Sequence, residues 1–274
     1  MNCSPYRQLF YSEINQSDEK IDLAKAALYL ALEDDREFDP DEYLNALDTM
    51  ANEVQETLPE TLYPLRIIKA INNYLYNDLS FAGNTIDYYD QRNSFLNQVI
   101  ERRTGIPITL SLIYLEIAKR INFPMVGIGM PGHFLIRPDF EDAGIFVDAF
   151  NQGEILFPQD CQERLAQIYG QPVELQPQFL ATVSNKQFLA RMLTNLKAIY
   201  LKQNEGLKAI AAIDRTLLLF PDAVMEKRDR GVLYYQLNLW AEARQDLESY
   251  LVNFSQADDA EIIRQLLAKM SQNL

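Results

Sequence analysis

One histidine, His133, and two cysteines, Cys3 and Cys161, are all the imidazole and thiol that this 274-residue sequence contains. The cysteines sit in unrelated contexts and match no redox or metal-ligand spacing, which argues against a disulfide scaffold. A single imidazole leaves too few soft ligands for zinc, so no metal or cofactor is expected. Long apolar runs are missing as well. None approaches the roughly 18 residues that span a bilayer, and Met1-Asn2-Cys3-Ser4-Pro5 offers neither a basic nor an apolar leader region, so the sequence reads as cytoplasmic.

Positive charge is scarce: 25 Lys and Arg against 39 Asp and Glu leave a net charge of −14. The imbalance belongs to the first third. Residues 1–92 hold 7 basic and 18 acidic side chains, residues 93–170 hold 6 and 9, and residues 171–274 hold 12 of each. An acidic surface repels phosphate backbones and anionic headgroups, which argues against nucleic acid or a membrane as partner and leaves a protein or peptide. Plain solubility explains such an excess without any partner. The sequence assigns no oligomeric state.

What is present is apolar material at regular spacing. Hydrophobic residues make up 48% of the chain, enough to bury one large core or two ordinary ones. Ile21, Ala24, Ala27, Leu28, Ala31 and Leu32 recur at helical spacing, behind the capping candidates Ser17 and Asp18 and ahead of Glu33-Asp34-Asp35. A second helix starts at Asp39-Pro40 and turns Tyr43, Leu44, Leu47, Met50, Ala51 and Val54 inward; a third follows Tyr63-Pro64 with Ile67, Ile68, Ile71, Leu75 and Phe81. Turn formers from Ala82 to Asp90 read as a loop into a short helix from Phe95 to Arg103. Ile106 to Arg120 reads as a long buried helix with Pro107 in its first turn.

Beyond that helix the period changes. Phe123 to Gly129, Phe134 to Arg137 and Ile145 to Phe150 are short runs separated by Pro131-Gly132 and by Pro138 to Gly144, which predicts three antiparallel strands, with Glu154 to Phe157 as a candidate fourth. Helices resume after Pro158, and Gly170 to Pro177 reads as a linker. From Asn195 a period of 34 residues relates Asn195 to Asp229, Tyr200 to Tyr234, Asn204 to Asn238, Ala209 to Ala243 and Phe220 to Phe254. That is the tetratricopeptide period, and a last helix from Asp258 to Met270 would cap the two units. The chain thus divides into a helical region 1–92, a core 93–170 and a repeat tail 178–274.

Long helix, strand, turn with His133, strand, loop, strand ending in Asp148 is the order of papain-like and transglutaminase-like cores. There a thiolate at a helix N-terminus is activated by an imidazole that a carboxylate orients. The run from Phe95 to Ser111, which contains Arg102-Arg103-Thr104-Gly105-Ile106-Pro107, resembles the signature of SirB-type, transglutaminase-like proteins, as does Pro131-Gly132-His133-Phe134. The resemblance extends over the helical N-terminus and to Arg228-Asp229-Arg230-Gly231 in the tail. It implies a mostly helical α+β fold: a papain/transglutaminase-like core with a small antiparallel sheet, a helical N-terminal region and a tetratricopeptide-like tail. It also implies that His133 and Asp148 are the remnant of a catalytic triad and are neighbours across the sheet. The nucleophile's place, counted back from Asn122-Phe123-Pro124, falls near Pro107, whose ring attacks nothing.

Three functions are compatible with this reading. A non-catalytic protein acting in protein interaction or regulation needs no nucleophile. An acyl-transfer enzyme or amide hydrolase would need Ser111 or Thr109 in place of Cys; Ser111 lies one turn and about 6 Å beyond Pro107, whereas Thr109 points about 200° away. An accessory protein would use the core only to support the repeats. His133 is accordingly a structural residue bonded to Asp148, part of a binding pocket, or a catalyst. Cys161 follows the strands in an amphipathic segment and is a weak nucleophile candidate. Arg102, Arg103 and Arg137 are anion clamps or members of internal ion pairs. In the tail, Asn195, Lys197, Asn204, Lys227, Arg228 and Arg230 line a groove for an extended peptide or serve intramolecular contacts.

Overall fold

The computed structural model describes residues 5–34, 37–140 and 144–270; Cys3, Asp35 and the middle of the Pro138 to Gly144 turn lie outside the described residues. The chain forms two compact units, Met1–Met192 and Leu193–Leu274.

The first unit opens with α1 (Pro5–Ile14), which the apolar spacing did not announce because Leu9 and Tyr11 stand exposed on it. Then come α2 (Leu23–Ala31), α3 (Pro40–Thr57) and α4 (Pro64–Asn72). α3 and α4 start at the prolines that the sequence singled out, with Asp39 accepting a hydrogen bond from Asp41 N. The cap of α2 is a correction: Asp22, not Ser17 or Asp18, accepts from Lys25 N. Ser17 and Asp18 instead lead into a 3-10 turn, and the Asp18 carboxylate accepts from Asn185 N and Lys186 N at the start of a helix far along the chain. Spacing along the sequence points to the nearest helix, whereas a short acidic side chain caps whichever helix end the fold brings to it.

α4 widens into a π-helical segment, Asn73–Asp78. The expected loop from Ala82 contains a two-residue strand, β1 (Ala82–Gly83), paired in parallel with β2 (Thr104–Gly105) after α5 (Leu96–Arg102). The helix that follows, α6 (Pro107–Arg120), is buried along Pro107 to Ala118. A helix apolar on every face belongs at the centre of a unit. The sheet has the three expected strands and the candidate fourth, β3 (Met125–Ile128), β4 (Leu135–Pro138), β5 (Phe146–Asp148) and β6 (Glu154–Leu156), antiparallel in chain order. One face of it packs with α7 (Pro158–Tyr169) through Ile128, Met130, Leu135, Phe146, Leu156, Cys161 and Leu165.

The next helix, α8 (Asn185–Lys202), carries residues of both units, and the second unit continues with α9 (Gly206–Leu219), α10 (Val224–Gln236), α11 (Trp240–Asn253) and α12 (Ala260–Met270). The 34-residue period has a backbone reason. Asn204 and Asn238 hold φ of 59° and 60° in the two equivalent turns, a left-handed conformation that asparagine tolerates better than most residues. Ala209 and Ala243 are both fully buried. At Gly231 an added Cβ would come within 2.8 Å of the Leu247 side chain, so glycine lets α10 and α11 meet closely.

Three of the four cations read as groove candidates are engaged within this unit. Lys197 pairs with Glu226 and Asp229, Arg228 with Asp229 and Asp259, and Arg230 with Asp214 and Asp246. For Lys197, Arg228 and Arg230 the intramolecular alternative therefore holds; Asn204 serves a turn.

Candidate functional site

His133 and Asp148 meet because β4 and β5 are antiparallel neighbours. The turn before β4 is closed by His133 N donating to Met130 O, with Gly132 at a φ of +74° that a side chain would strain. This delivers the ring to the end of β5, where His133 Nε2 lies 2.8 Å from Asp148 Oδ2. Asp148 is fully buried and saturated with donors. Its Oδ1 accepts from Phe150 N and Asn151 N at 3.1 and 3.2 Å, capping the 3-10 turn Ala149–Asn151, and its Oδ2 also accepts from the Asn151 side-chain amide at 2.8 Å. Arg164 on α7 stands 3.7 Å away and pairs with Glu154. Burial pushes the Asp148 carboxyl up, but the His133 hydrogen bond and charge, the Asn151 amide and Arg164 outweigh it and hold the group below its ordinary value.

With Asp148 ionised, Nε2 of His133 carries a proton and donates it. Nδ1 is then the basic nitrogen, and it has no hydrogen-bond partner among the described residues. The ring is 9% exposed and meets the edge of Phe150 at 6.2 Å between centroids; Phe150 in turn meets Tyr88, and Tyr88 meets Tyr89. Tyr88 and Tyr89 are partly open to solvent.

The turn after Asp148 is fixed from the helical side. α6 packs against it, Tyr76 of the π-helical segment donates to Ala149 O at 2.9 Å, and the Asn72 amide donates to Gly153 O at 2.8 Å while accepting from Tyr114. Gly83 in β1 is required by the same turn, since a Cβ there would lie 2.7 Å from Phe150 O. Asn72, Tyr76, Asn151 and Arg164 are thus site residues that sequence reasoning missed. Asn72 and Tyr76 bond distant carbonyls, Arg164 reaches Asp148 only through the seating of α7, and Asn151 lies in a turn to which no element was assigned, so nothing in spacing marks them.

The nucleophile candidates stand as follows. Pro107 is at the first turn of α6. Thr109 Oγ1 accepts from Ile106 N at 3.1 Å and donates to Asn93 O at 2.7 Å, so its hydroxyl caps α6 and ties it to the segment before α5. Ser111 is fully buried, and its Oγ has no hydrogen-bond partner among the described residues. The Cys161 side chain is sealed in the core, and burial, with the charges of Asp160 and Asp148, pushes its thiol up to about 12, so it is a neutral packing residue. None of these side chains hydrogen-bonds to His133.

The three arginines are likewise placed. Arg102 pairs with Asp90, Arg103 donates to Leu79 O at a left-handed φ of 52°, and Arg137 donates to Pro138 O and Phe140 O. Internal bonding, rather than an anion clamp, is what the structure holds. Among the described residues no group of His, Cys, Asp and Glu is arranged to hold a metal ion, and no helix is long and apolar enough to cross a membrane.

A central helix against an antiparallel sheet that presents a bonded His and Asp defines a transglutaminase-like core. Residues 41–194 match the model of the transglutaminase-like superfamily, and residues 196–268 match that of the tetratricopeptide repeat. A UPF0162 protein of Xylella fastidiosa (strain 9a5c) is 35% identical over 271 residues, covering 96% of this chain and 95% of its own. Another from Vibrio cholerae is 31% identical over 206 residues, 75% of this chain and 76% of its own. Human F-box only protein 21 is 33% identical over 191 residues, which are 65% of this chain and 29% of that protein. No solved structure matches. The chain belongs to the transglutaminase-like superfamily as a SirB-type UPF0162 protein with a tetratricopeptide-repeat tail.

Proposed function

We propose that this protein is a non-catalytic transglutaminase-like protein that acts in protein interaction or regulation, with the His133–Asp148 pair kept as a structural centre and as a contact for a bound peptide. The observation that carries the reading is an imidazole oriented for proton transfer with no nucleophile bonded to it. Among the described residues Nδ1 of His133 has no hydrogen-bond partner, Pro107 occupies the place the family resemblance gives to the nucleophile, and the nearest alternatives in sequence are a capping threonine and a sealed serine. In a triad of this kind the imidazole takes the proton and the carboxylate orients it, while a third side chain makes the attack.

Two further facts favour interaction. Tetratricopeptide repeats in general present helical surfaces to other proteins. The same core also recurs within the much longer F-box only protein 21, as one module of a larger chain. The acyl-transfer alternative through Ser111 or Thr109 has the bonding of Thr109 and the burial of Ser111 against it.

Covalent trapping tests the proposal. The full chain is incubated with a fluorophosphonate and with an activated ester, and the products are mapped by mass spectrometry. No adduct is expected at Thr109, Ser111 or Cys161; an adduct at any of them that disappears in His133→Ala makes the protein an enzyme.

A further inference from the structure

The sheet ends on one side at β3, and the chain itself covers only part of that edge. Ile128 bridges Thr182 in antiparallel fashion, and Val183 N donates to Gly127 O at 3.0 Å. Alternate residues of an antiparallel strand turn their N–H and C=O to the same side. Gly127 faces outward, so Met125 does too, and beyond its ladder to β4 Met125 has no backbone partner among the described residues. Upstream, Phe123 N is already donated to Ala118 O at the end of α6, which keeps the open edge too short for sheet-to-sheet aggregation yet leaves Met125 free for a short guest strand.

Beside this edge lies a cavity of about 440 Å³. Its apolar side is formed by Leu23, Leu115, Val126, Val183 and Phe188. Its charged side holds four carboxylates, Asp18, Glu19, Glu116 and Asp139, against one amine, Lys119. Two of the four are engaged internally, Asp18 in capping α8 and Glu116 in an ion pair with Arg120. Glu19 and Asp139 are exposed and have no ion pair among the described residues. An open strand edge, an apolar hollow and two uncompensated carboxylates on its rim together describe a receptor for a cationic strand.

We propose that this groove docks an extended, lysine- or arginine-rich segment of a partner protein, which adds to β3 at Met125 through main-chain hydrogen bonds. Alternate side chains of the guest then serve two purposes: apolar ones enter the hollow, and basic ones meet Glu19 and Asp139. The site is separate from His133, and it stands or falls independently of whether the core is catalytic.

The probes are a short fluorescein-labelled peptide of alternating Lys and Val and its Glu and Val counterpart, titrated into the full chain at low salt. The Lys-Val peptide is expected to bind and the Glu-Val peptide not to. Glu19→Lys with Asp139→Lys should weaken binding by about tenfold, the order expected when two rim charges are reversed. Glu56→Lys with Glu60→Lys, which changes net charge equally on another surface, should leave it unchanged, and the Met125 amide should gain hydrogen-exchange protection with the peptide bound. Absence of Lys-Val binding, equal binding of the Glu-Val peptide, equal weakening by the two charge variants, or an unprotected Met125 amide would each overturn the proposal.

Discussion

Asp148 holds more of the site together than His133 does, because it accepts from two backbone amides, the Asn151 side chain and the imidazole at once while wholly buried. Its carboxyl is held below the ordinary value, so its charge stabilises the fold at every pH above the unfolded value of about 3.9, and that contribution is lost as pH falls through the lower folded value. Asp148→Asn removes the charge with little change of shape. Relative to the parent it should lower stability by about 1–3 kcal/mol near neutral pH, with the difference shrinking in acid once the parent's carboxyl is protonated. Urea unfolding over a pH series reads this directly, and a difference independent of pH would refute it. The His133–Asp148 partnership was expected from the resemblance to transglutaminase-like cores, which places the two residues on neighbouring strands. Asn151 and Arg164 were not, because their contribution depends on the 3-10 turn and on the seating of α7, which spacing does not encode.

The elements read well wherever a local rule governed them. Pro40, Pro64 and Pro107 start helices because a first-turn proline loses no hydrogen bond, and the four strands follow from short runs between turn formers. Failures arose where the partner was remote. β1 pairs only through residues more than twenty positions away, and Asp18 caps α8 rather than α2. In the second unit the repeat was visible at Asn204 and Asn238 because left-handed turns restrict residue choice. Asn238→Gly should therefore leave stability nearly unchanged, whereas Asn238→Val should cost about 1–2 kcal/mol, the strain of a β-branched residue at positive φ. Equal thermal midpoints for the two variants would contradict this account of the turn.

At the scale of the molecule, two units with different electrostatics share one chain. Residues 1–92 carry most of the net charge of −14, whereas residues 171–274 are balanced, with Lys197, Arg228 and Arg230 in internal ion pairs. The acidic excess therefore belongs to the unit that contains the core, and there it sets which partners approach. Within that unit the π-helical segment, α6 and the sheet converge on the bonded pair of Asp148 and His133, whose Nδ1 has no hydrogen-bond partner among the described residues. If His133 and Asp148 are the remnant of a triad, the imidazole faces the first turn of α6, where Pro107 stands. The most direct measurement is the pH dependence of iodoacetamide reaction at the new thiol in Pro107→Cys, with Cys3 and Cys161 replaced by serine and alanine. A thiolate formed well below the ordinary cysteine value of about 8.5 is expected, returning toward that value when His133→Ala is added. A thiol that titrates near about 8.5 with or without His133 would show that the imidazole does not serve that position, and the reading of His133 and Asp148 as a triad remnant would fall.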